Sequence, residues 1–335
     1  MNDPIVVEVT RGALVESRHR VGVVVSEPNG RIVFSLGDAG NEVFPRSAVK
    51  AIQALPLVES GAADEFGFGS PELALAQASH NGEPEHTALA GAMLAHAGLG
   101  EGDLECGVHA PLYKPAAEAL VAAGEMLSQL HNNCSGKHAG FLAAARAMGL
   151  RTEGYVQAAH PVQQAVREAM QSLTGAAHDP VHCGIDGCSI PTFRVPLASL
   201  ALGFARFGSG VGLSASRAAA ARRIYEAAAA SPFHVAGTGR FCTEALTLLR
   251  GRALVKTGAE GVFCAAVPSR GFGIALKAAD GSTRAAEAVM AALLARLFPD
   301  MEEPLLRWSQ ALIMTRRGKV VGAVRAIPEA FADFS

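Results

Sequence analysis

The sequence is poor in charged and aromatic residues. Only 18% of its 335 residues are charged, the net charge is −2, and there are one Trp and three Tyr. No basic tract is present, so nucleic acid and anionic membranes are not expected partners. No apolar run reaches the roughly 18 residues of a membrane span without a charge or turn residue, and no signal peptide is evident. We therefore expect a compact globular protein of the cytoplasm.

Cysteine is also scarce, which argues against a disulfide framework. Six cysteines in a chain of this length should be free, buried, catalytic or metal-bound in a reducing compartment. We expect Cys106, Cys242 and Cys264 to be ordinary core residues. The other three cysteines occur in two short stretches that also contain lysine, histidine and aspartate.

Strand-like segments lie at both ends of the sequence, and helix-like segments lie between them. β-rich runs occur at 5–9, 21–25 and 31–35, and alanine- and leucine-rich segments with helical spacing follow from about residue 46. Strand character then returns, and two more helices are expected at about 284–298 and 303–312. Short glycine-containing turns between the C-terminal strands favour antiparallel pairing.

This order predicts an α+β protein with two interleaved lobes. Residues 1–45 and 250–335 would form an antiparallel sheet flanked by helices, and residues 46–249 a mainly helical lobe inserted between its two parts. The active site would lie between the lobes. No linker, low-complexity tract or internal repeat is evident.

A serine and a lysine share one face of a predicted helix start. In "FPRSAVKAIQALPLV", Pro45 and the apolar run place Ser47 in the first helical turn, with Lys50 three residues later. Such a lysine can take the serine proton if burial and a positive neighbour lower its pKa from about 10.4 toward 7. The tetrapeptide is common by itself, however, and an exposed lysine with a capping serine gives the same pattern.

Two further stretches complete a motif set. Ser79 belongs to Ser-His-Asn in a turn-prone run, and Lys256 to Lys-Thr-Gly at the end of a strand. Ser-x-x-Lys, Ser-x-Asn and Lys-Thr-Gly in this order are typical of penicillin-recognising acyl enzymes, which predicts a fold of the serine β-lactamase and penicillin-binding-protein type. Ser47 would be the nucleophile and Lys50 its base. Ser79 would relay a proton to the leaving nitrogen, with Lys256 polarising it, although the two pairs could exchange roles.

The stretch "HNNCSGKHAG" at residues 131–140 admits three interpretations. It could begin an ordinary helix, with Ser135 as its cap and Gly136 allowing close packing. It could hold zinc, which needs about four ligands. The candidate donors, here and in "VHCGIDGCSIPTF", are Cys134, Lys137, His138, Cys183, Asp186 and Cys188. A cysteine beside lysine and histidine at a helix start would also have a depressed pKa, which leaves a cysteine nucleophile open.

Five segments together resemble the rhizobial-type L-asparaginase family. They are "FPRSAVKAIQALPLV", "SHNGEPEH", "NNCSGKHAGFLAAARAMG", "GIDGCSIPTF" and "VKTGAEGVFCAAVP", and the resemblance runs from about residue 5 to 327. That family is unrelated in fold to the familiar bacterial and plant-type asparaginases and is related in architecture to serine β-lactamases and glutaminases. The resemblance implies a homodimeric amidohydrolase that converts L-asparagine and water to L-aspartate and ammonia.

The resemblance also implies roles for individual residues. The implied catalytic residues are Ser47, Lys50, Ser79 and Lys256. The implied metal ligands are Cys134, Lys137 and Cys188, and the candidates for substrate contact are Arg46, His138 and Asp186. The zinc would be accessory, helping to position substrate without being indispensable for hydrolysis. A lysine ligand must bind as the neutral amine, so the metal has to displace a proton.

Other functions remain open from the sequence. A glutaminase or another β-lactamase-like amidohydrolase would use the same scaffold, because one methylene in a pocket is worth only about 1–3 kcal/mol. A β-lactamase is disfavoured by the missing export signal, by the two cysteine-containing segments and by His80 in place of the middle residue of Ser-Asp-Asn. A non-catalytic zinc or small-ligand binding protein would not need two serine–lysine pairs.

Overall fold

The computed structural model describes residues 3–334. Its strands are β1 (Ile5–Arg11), β2 (Leu14–Ser26), β3 (Ile32–Leu36), β4 (Glu42–Val43), β5 (Cys183–Ile185), β6 (Pro191–Phe193), β7 (Val195–Pro196), β8 (Leu254–Thr257), β9 (Val262–Val267), β10 (Phe272–Ala278), β11 (Gln310–Met314) and β12 (Val320–Ala326). Residues 1, 2 and 335 of the predicted sheet-containing lobe lie outside the described residues.

Most of the helices fall in the middle of the chain. They are α1 (Lys50–Gln53), α2 (Leu55–Glu59), α3 (Ala62–Glu65), α4 (Ser70–Ala76), α5 (Pro84–His96), α6 (Lys114–Ala123), α7 (Ser135–Ala147), α8 (Pro161–Thr174), α9 (Leu197–Ser209), α10 (Ala215–Ala230), α11 (Pro232–Ala236), α12 (Phe241–Leu249), α13 (Thr283–Leu297) and α14 (Glu302–Ser309). A 3₁₀ turn at Arg46–Val49 leads directly into α1. None of the helices described is both long and apolar enough to cross a membrane.

The main sheet is antiparallel and is built from both ends of the chain. Its eight strands follow the order β11-β12-β1-β2-β10-β9-β8, with β3 also paired to β2. The first half of β2 pairs with β1, whereas Val21–Ser26 pairs with β10. One long strand therefore joins the N-terminal hairpin to the C-terminal strands. This confirms the predicted fold class: an antiparallel sheet from both termini, with helices on it and a mainly helical segment inserted.

The helical segment lies against this sheet. Helix α9 packs on β2, β9 and β10, and α13 packs on β9, β10 and β12. The approach of α9 is so close that a Cβ on Gly273 of β10 would lie 2.0 Å from the Ala201 carbonyl oxygen. Only glycine fits there. The candidate site forms beside this junction, where the 3₁₀ turn before α1 meets β8.

Helix α7 is the buried centre of the helical segment. All its residues from Ser135 to Ala145 are buried. A Cβ on Gly136 would lie 2.6 Å from the Leu75 carbonyl oxygen of α4, so the predicted close packing at this glycine is confirmed. Ser135 does not cap the helix as one interpretation expected, because its hydroxyl donates to the Leu130 carbonyl oxygen.

One predicted helix is wrong at its C-terminal end. The helix expected at about 303–312 ends at Ser309, and Gln310–Met314 forms the edge strand β11. Side chains in β11 alternate between exposed and half-buried, which is the pattern of a strand with one face on the core. Pairing with β12, closed by a turn containing Gly318 at φ 76°, overrides the helical spacing.

Candidate functional site

Three segments that are distant in the sequence meet at the junction of the sheet and the helices. Ser47 lies in the 3₁₀ turn before α1, Ser79 in the loop after α4, and Lys256 in β8. The end of β8 packs against the Ser47 turn, since a Cβ on Gly258 would lie 2.7 Å from the Pro45 carbonyl oxygen. This close approach explains the glycine of the Lys-Thr-Gly motif.

Ser79 lies between two buried lysines. Lys50 Nζ donates a hydrogen bond to Ser79 Oγ at 3.0 Å. It also donates to the Ala78 carbonyl oxygen at 2.6 Å and to Cys134 Sγ at 3.1 Å. Lys256 Nζ lies 3.0 Å from the same Ser79 oxygen. The structure therefore brings three of the four predicted catalytic residues into one hydrogen-bonded chain.

Ser47 has different surroundings. Its side chain is partly exposed, and its hydroxyl forms no hydrogen bond with any of residues 3–334. Lys50, its predicted base, follows one helical turn later but donates to Ser79. The role of Lys50 as the base of Ser47 therefore stays a prediction, whereas Ser79 and Lys256 are in contact.

The residue before Ser47 has an unusual backbone conformation. Arg46 has a φ of 51°, in the left-handed region that non-glycine residues seldom adopt. Its guanidinium is held by Asp186, with Nη2 and Nε at 2.9 and 3.1 Å from Oδ1. Burial alone would raise the pKa of Asp186, but Arg46 and Lys137 lower it below its usual range. Two of the predicted substrate contacts thus form one ion pair beside Ser47.

Lys256 is the lysine best suited to accept a proton. Burial lowers the pKa of Lys256 to about 7, and the positive charges of Lys50 and Arg240 act in the same direction. In a substantial fraction of the protein molecules Lys256 is therefore a neutral amine at neutral pH. A base with a pKa near the working pH is the most effective proton acceptor.

A second buried group, the thiol–lysine cluster, consists of Cys134, Lys137 and Cys188. Lys137 Nζ donates to Cys188 Sγ at 3.0 Å, and Cys134 Sγ accepts from Lys50 Nζ at 3.1 Å and donates to Asn133 Oδ1 at 3.0 Å. The neighbouring Cys188 thiol, together with the charges of Lys50 and Lys137, lowers the pKa of Cys134. Cys183, the other candidate ligand, donates to a main-chain carbonyl in its own hairpin instead.

His138 is fully buried and has one unpaired nitrogen. Its Nδ1 lies 2.7 Å from the Tyr155 hydroxyl, which accepts a hydrogen bond from the Glu105 N–H. The tyrosine hydrogen is therefore free to go to Nδ1, which leaves the histidine proton on Nε2. Nε2 has no partner among residues 3–334. An unpaired buried donor of this kind can be satisfied by a ligand.

The sequence reasoning missed the residues that hold the Ser79 loop. His80 is buried, with Nε2 3.0 Å from Ser135 Oγ, and its Nδ1 accepts the Gly82 N–H. Because Ser135 begins α7, this contact joins the Ser-His-Asn loop to the thiol-containing helix start. The departure from Ser-Asp-Asn at His80 was the available signal, since a buried neutral imidazole needs a partner.

A second missed segment is the clasp, residues 235–240. The N–H groups of Ser79 and Asn81 donate to the carbonyl oxygens of Val235 and Ala236, at 3.1 and 2.9 Å. The clasp consists of the last two residues of α11 and the Gly-Thr-Gly-Arg sequence that follows them, which indicates a turn but no function.

Comparison with known proteins places this arrangement in a family. A family model described as L-asparaginase II matches residues 7–326. The chain belongs to the L-asparaginase II family. The asparaginase resemblance found in the sequence is thereby confirmed over nearly the whole chain. No curated protein matches it.

Solved structures similar to this L-asparaginase II family member are distant in sequence. Mglu in its tris and glutamate form has 17% identity and a TM-score of 0.44, covering 89% of this chain and 63% of that one. Mglu in 4.3 M NaCl has 16% identity and a TM-score of 0.42, covering 84% and 61%. A β-lactamase, Mb2281c from Mycobacterium bovis, has 15% identity and a TM-score of 0.38, covering 85% and 93%. The chain spans less than two thirds of the Mglu chain.

The thiol–lysine cluster of this family member would be an unconventional metal site. No three His, Cys, Asp or Glu side chains within residues 3–334 are grouped so that they could hold a metal ion. The cluster fits zinc only when Lys137 is counted, because it then offers two thiols and one amine within electrostatic reach of one another, with Lys137 and Cys188 in direct contact. The sulfur atoms of Cys188 and Cys134 raise the pKa of Lys137 although burial opposes this. Zinc would therefore have to displace a proton from Lys137.

Proposed function

We propose that the protein hydrolyses the side-chain amide of L-asparagine to L-aspartate and ammonia through an acyl-enzyme intermediate. The family match supports the reaction class. The observation that carries the proposal is the position of Ser79 Oγ, 3.0 Å from the Nζ atoms of both Lys50 and Lys256. A hydroxyl between two buried amines can relay protons, which an amide hydrolase needs and a binding protein does not.

Ser47 is the nucleophile in this proposal. Of the two serines, it is the one whose hydroxyl is partly exposed and not engaged by residues 3–334. It also lies at a helix start, where main-chain N–H groups that the helix does not use can stabilise an oxyanion. Ser79, by contrast, is buried between its lysines. Ser47 Oγ attacks the amide carbon, and an ester with the aspartyl group forms when ammonia leaves.

The proton of Ser47 follows the lysine chain. It passes to Lys50 as Lys50 gives a proton to Ser79 and Ser79 gives one to the neutral amine of Lys256. Lys256 then returns a proton through Ser79 to the leaving nitrogen, which departs as ammonia. Water hydrolyses the ester by the same relay and restores the Ser47 hydroxyl. In this scheme Lys50 passes the proton on, and Lys256 is the base that stores it.

The substrate's charged groups have candidate partners in the Arg46–Asp186 pair and in buried His138. We assign the α-carboxylate to Arg46 and to the unpaired Nε2 of His138, and the α-ammonium to Asp186. The Arg46–Asp186 pair supports this assignment, because a zwitterionic substrate can exchange with an ion pair of matching charges. The unpaired state of His138 Nε2 supports it as well.

The proposal includes an accessory zinc held by Cys134, Lys137 and Cys188. When bound, zinc would supply a positive charge close to the substrate and thereby help to orient it. Cys134 also contacts Lys50, which links the cluster to the relay. The chemistry itself is assigned to the serine–lysine chain. The homodimer and the cytoplasmic location stay predictions.

The test is ammonia release from L-asparagine and, in parallel, L-glutamine, by the purified protein before and after chelation and zinc re-addition. We expect release from asparagine at both stages, with zinc changing KM more than kcat. Release from glutamine alone would replace the proposal by the glutaminase alternative. Release from neither amide would reject asparagine as the substrate.

A further inference from the structure

Arg240, in the clasp, reaches the loop that carries Ser79. Its Nη1 donates to Asn81 Oδ1 at 3.0 Å and to the Ser79 carbonyl oxygen at 3.5 Å. Within residues 3–334 it forms no ion pair with a carboxylate, unlike Arg46. The guanidinium charge is therefore not neutralised by a contacting carboxylate, and it stands beside the relay serine.

The loop is anchored without Arg240 as well. Its main chain is bonded to the clasp at Ser79 and Asn81. Glu83 adds two contacts, accepting from the Thr238 N–H at 2.8 Å and from the Thr238 hydroxyl at 2.7 Å. A substitution at position 240 therefore leaves most of the anchoring in place. The contribution of Arg240 is specific to the serine and to the charge around it.

The charge of Arg240 acts on Lys256. The titratable groups that face Lys256 are Lys50 of α1, Cys134 before α7, Arg240, Cys242 of α12 and Cys264 of β9. The two positive charges in this set oppose protonation of Lys256, whereas the thiols Cys242 and Cys134 act in the opposite direction. Glu287 of α13 lies within electrostatic reach of Arg240, and burial raises its pKa to about 7.

We propose that Arg240 is a positioning residue for the Ser79 relay. Through Asn81 and the Ser79 carbonyl oxygen it fixes the serine hydroxyl between the two lysines, and its positive charge adds to burial and to Lys50 in favouring the neutral form of Lys256 that accepts a proton. This inference rests on the proposed hydrolysis of asparagine. It assigns to the clasp a role that the three sequence motifs do not contain.

The first experiment needs no substrate. Lysine labelled with ¹³C at Cε is incorporated into the full chain, and the Lys256 resonance is assigned by its loss in Lys256→Met. In Arg240→Gln the titration midpoint of this resonance rises by roughly half a unit to one unit, because a like charge has been removed. In Arg240→Lys it stays near the wild-type value. An unchanged midpoint in Arg240→Gln would overturn the electrostatic part of the inference, whether or not the protein hydrolyses asparagine.

The second experiment separates positioning from binding of the substrate carboxylate. Asparagine is compared with β-alaninamide, which has the same amide and amine but no α-carboxylate. Positioning predicts that Arg240→Gln lowers kcat about 10- to 100-fold for both substrates, with KM changed less than about threefold. A loss confined to asparagine and expressed in KM would make Arg240 a carboxylate receptor and reject the positioning role.

Two variants complete the design. Arg240→Lys keeps the charge but lacks the planar guanidinium, so kcat falls while the acid limb of the pH profile stays in place. Arg252→Gln removes a surface arginine paired with Asp300, and both its activity and its profile should match the wild type. Inactivity of the wild type on both substrates contradicts the proposed function, and only the resonance titration then decides on Arg240.

Discussion

Lys256 and Lys137 are equally buried at this site, yet their neighbours push their pKa values in opposite directions. Lys256 is 1% exposed and Lys137 is 2% exposed. Burial and the like charges of Lys50 and Arg240 lower the pKa of Lys256 to about 7. For Lys137, attraction by two sulfur atoms outweighs burial, and its pKa lies above the ordinary value.

The difference teaches that neighbours decide what a buried lysine can do. Desolvation acts on both amines with the same sign. A hydroxyl and positive charges around Lys256 leave a lone pair ready to accept a proton. The thiols around Lys137 stabilise its protonated, cationic form, and only a competing cation such as zinc would displace the Lys137 proton. In the proposed function, one region therefore transfers protons and the other binds a cation.

The largest expected effect comes from removing the nucleophile. Ser47→Ala should lower kcat/KM for asparagine by roughly 10³-fold or more while the protein stays folded, because the hydroxyl makes no hydrogen bond with residues 3–334. Ammonia release and thermal unfolding measure the two parts. Wild-type turnover by this variant would move the chemistry to Ser79 or to the thiol–lysine cluster, and the division between the two regions would fail.

Replacing each of the two lysines by methionine tests the comparison directly. Lys256→Met should lower kcat by roughly 10²- to 10⁴-fold, since the proton acceptor is lost. Lys137→Met, a change of the same kind at a similarly buried position, should lower zinc content and raise KM with little effect on kcat. Steady-state kinetics and metal analysis of both variants give the answer. Equal losses of kcat would mean that the regions do not have separate roles.

Much of this arrangement could be predicted from the sequence because it depends on local pattern. Hydrophobic periodicity and turn residues gave the order sheet, helices, sheet, and the Ser-x-x-Lys, Ser-x-Asn and Lys-Thr-Gly spacings gave the residues that meet. The pairing of β11 was not predictable in the same way, because Gln310–Met314 continues a helical pattern and is fixed as a strand only by β12. The first half of β2 was missed because its charged residues alternate with half-buried ones.

The details of the site depend on distances that local pattern does not contain. Spacing paired Lys50 with Ser47, but the fold directs Lys50 Nζ to Ser79 and Cys134, which are 29 and 84 residues away in the sequence. Arg240 was missed for the same reason, since the contact of the clasp with the Ser79 loop follows no sequence periodicity. The sequence therefore allowed a prediction of the residues near the site, but not of the hydrogen bonds that they form.

The pH dependence sharpens the comparison further. Lys256 must be neutral to accept a proton, and its pKa is lowered to about 7. Below that pH it is protonated, so kcat/KM should fall about tenfold for each pH unit; above it, kcat/KM should reach a plateau. The acid limb should be absent from the residual rate of Lys256→Met and unchanged in Lys137→Met. If the acid limb shifts in Lys137→Met, Lys256 is not the group whose titration causes it.

The smallest expected effect concerns the cation-binding region alone. Cys188→Ala removes the sulfur atom that contacts Lys137, so zinc content should fall and KM should rise severalfold, while kcat should stay near the wild-type value. Cys183→Ala is the matched control, because that thiol donates to a carbonyl in its own hairpin and should affect neither zinc nor KM. If Cys188→Ala keeps its zinc, Cys188 is not a ligand. If zinc is lost and kcat falls as far as in Lys256→Met, the contact of Cys134 with Lys50 carries the influence of the cluster into the relay, and the two lysines belong to one catalytic unit.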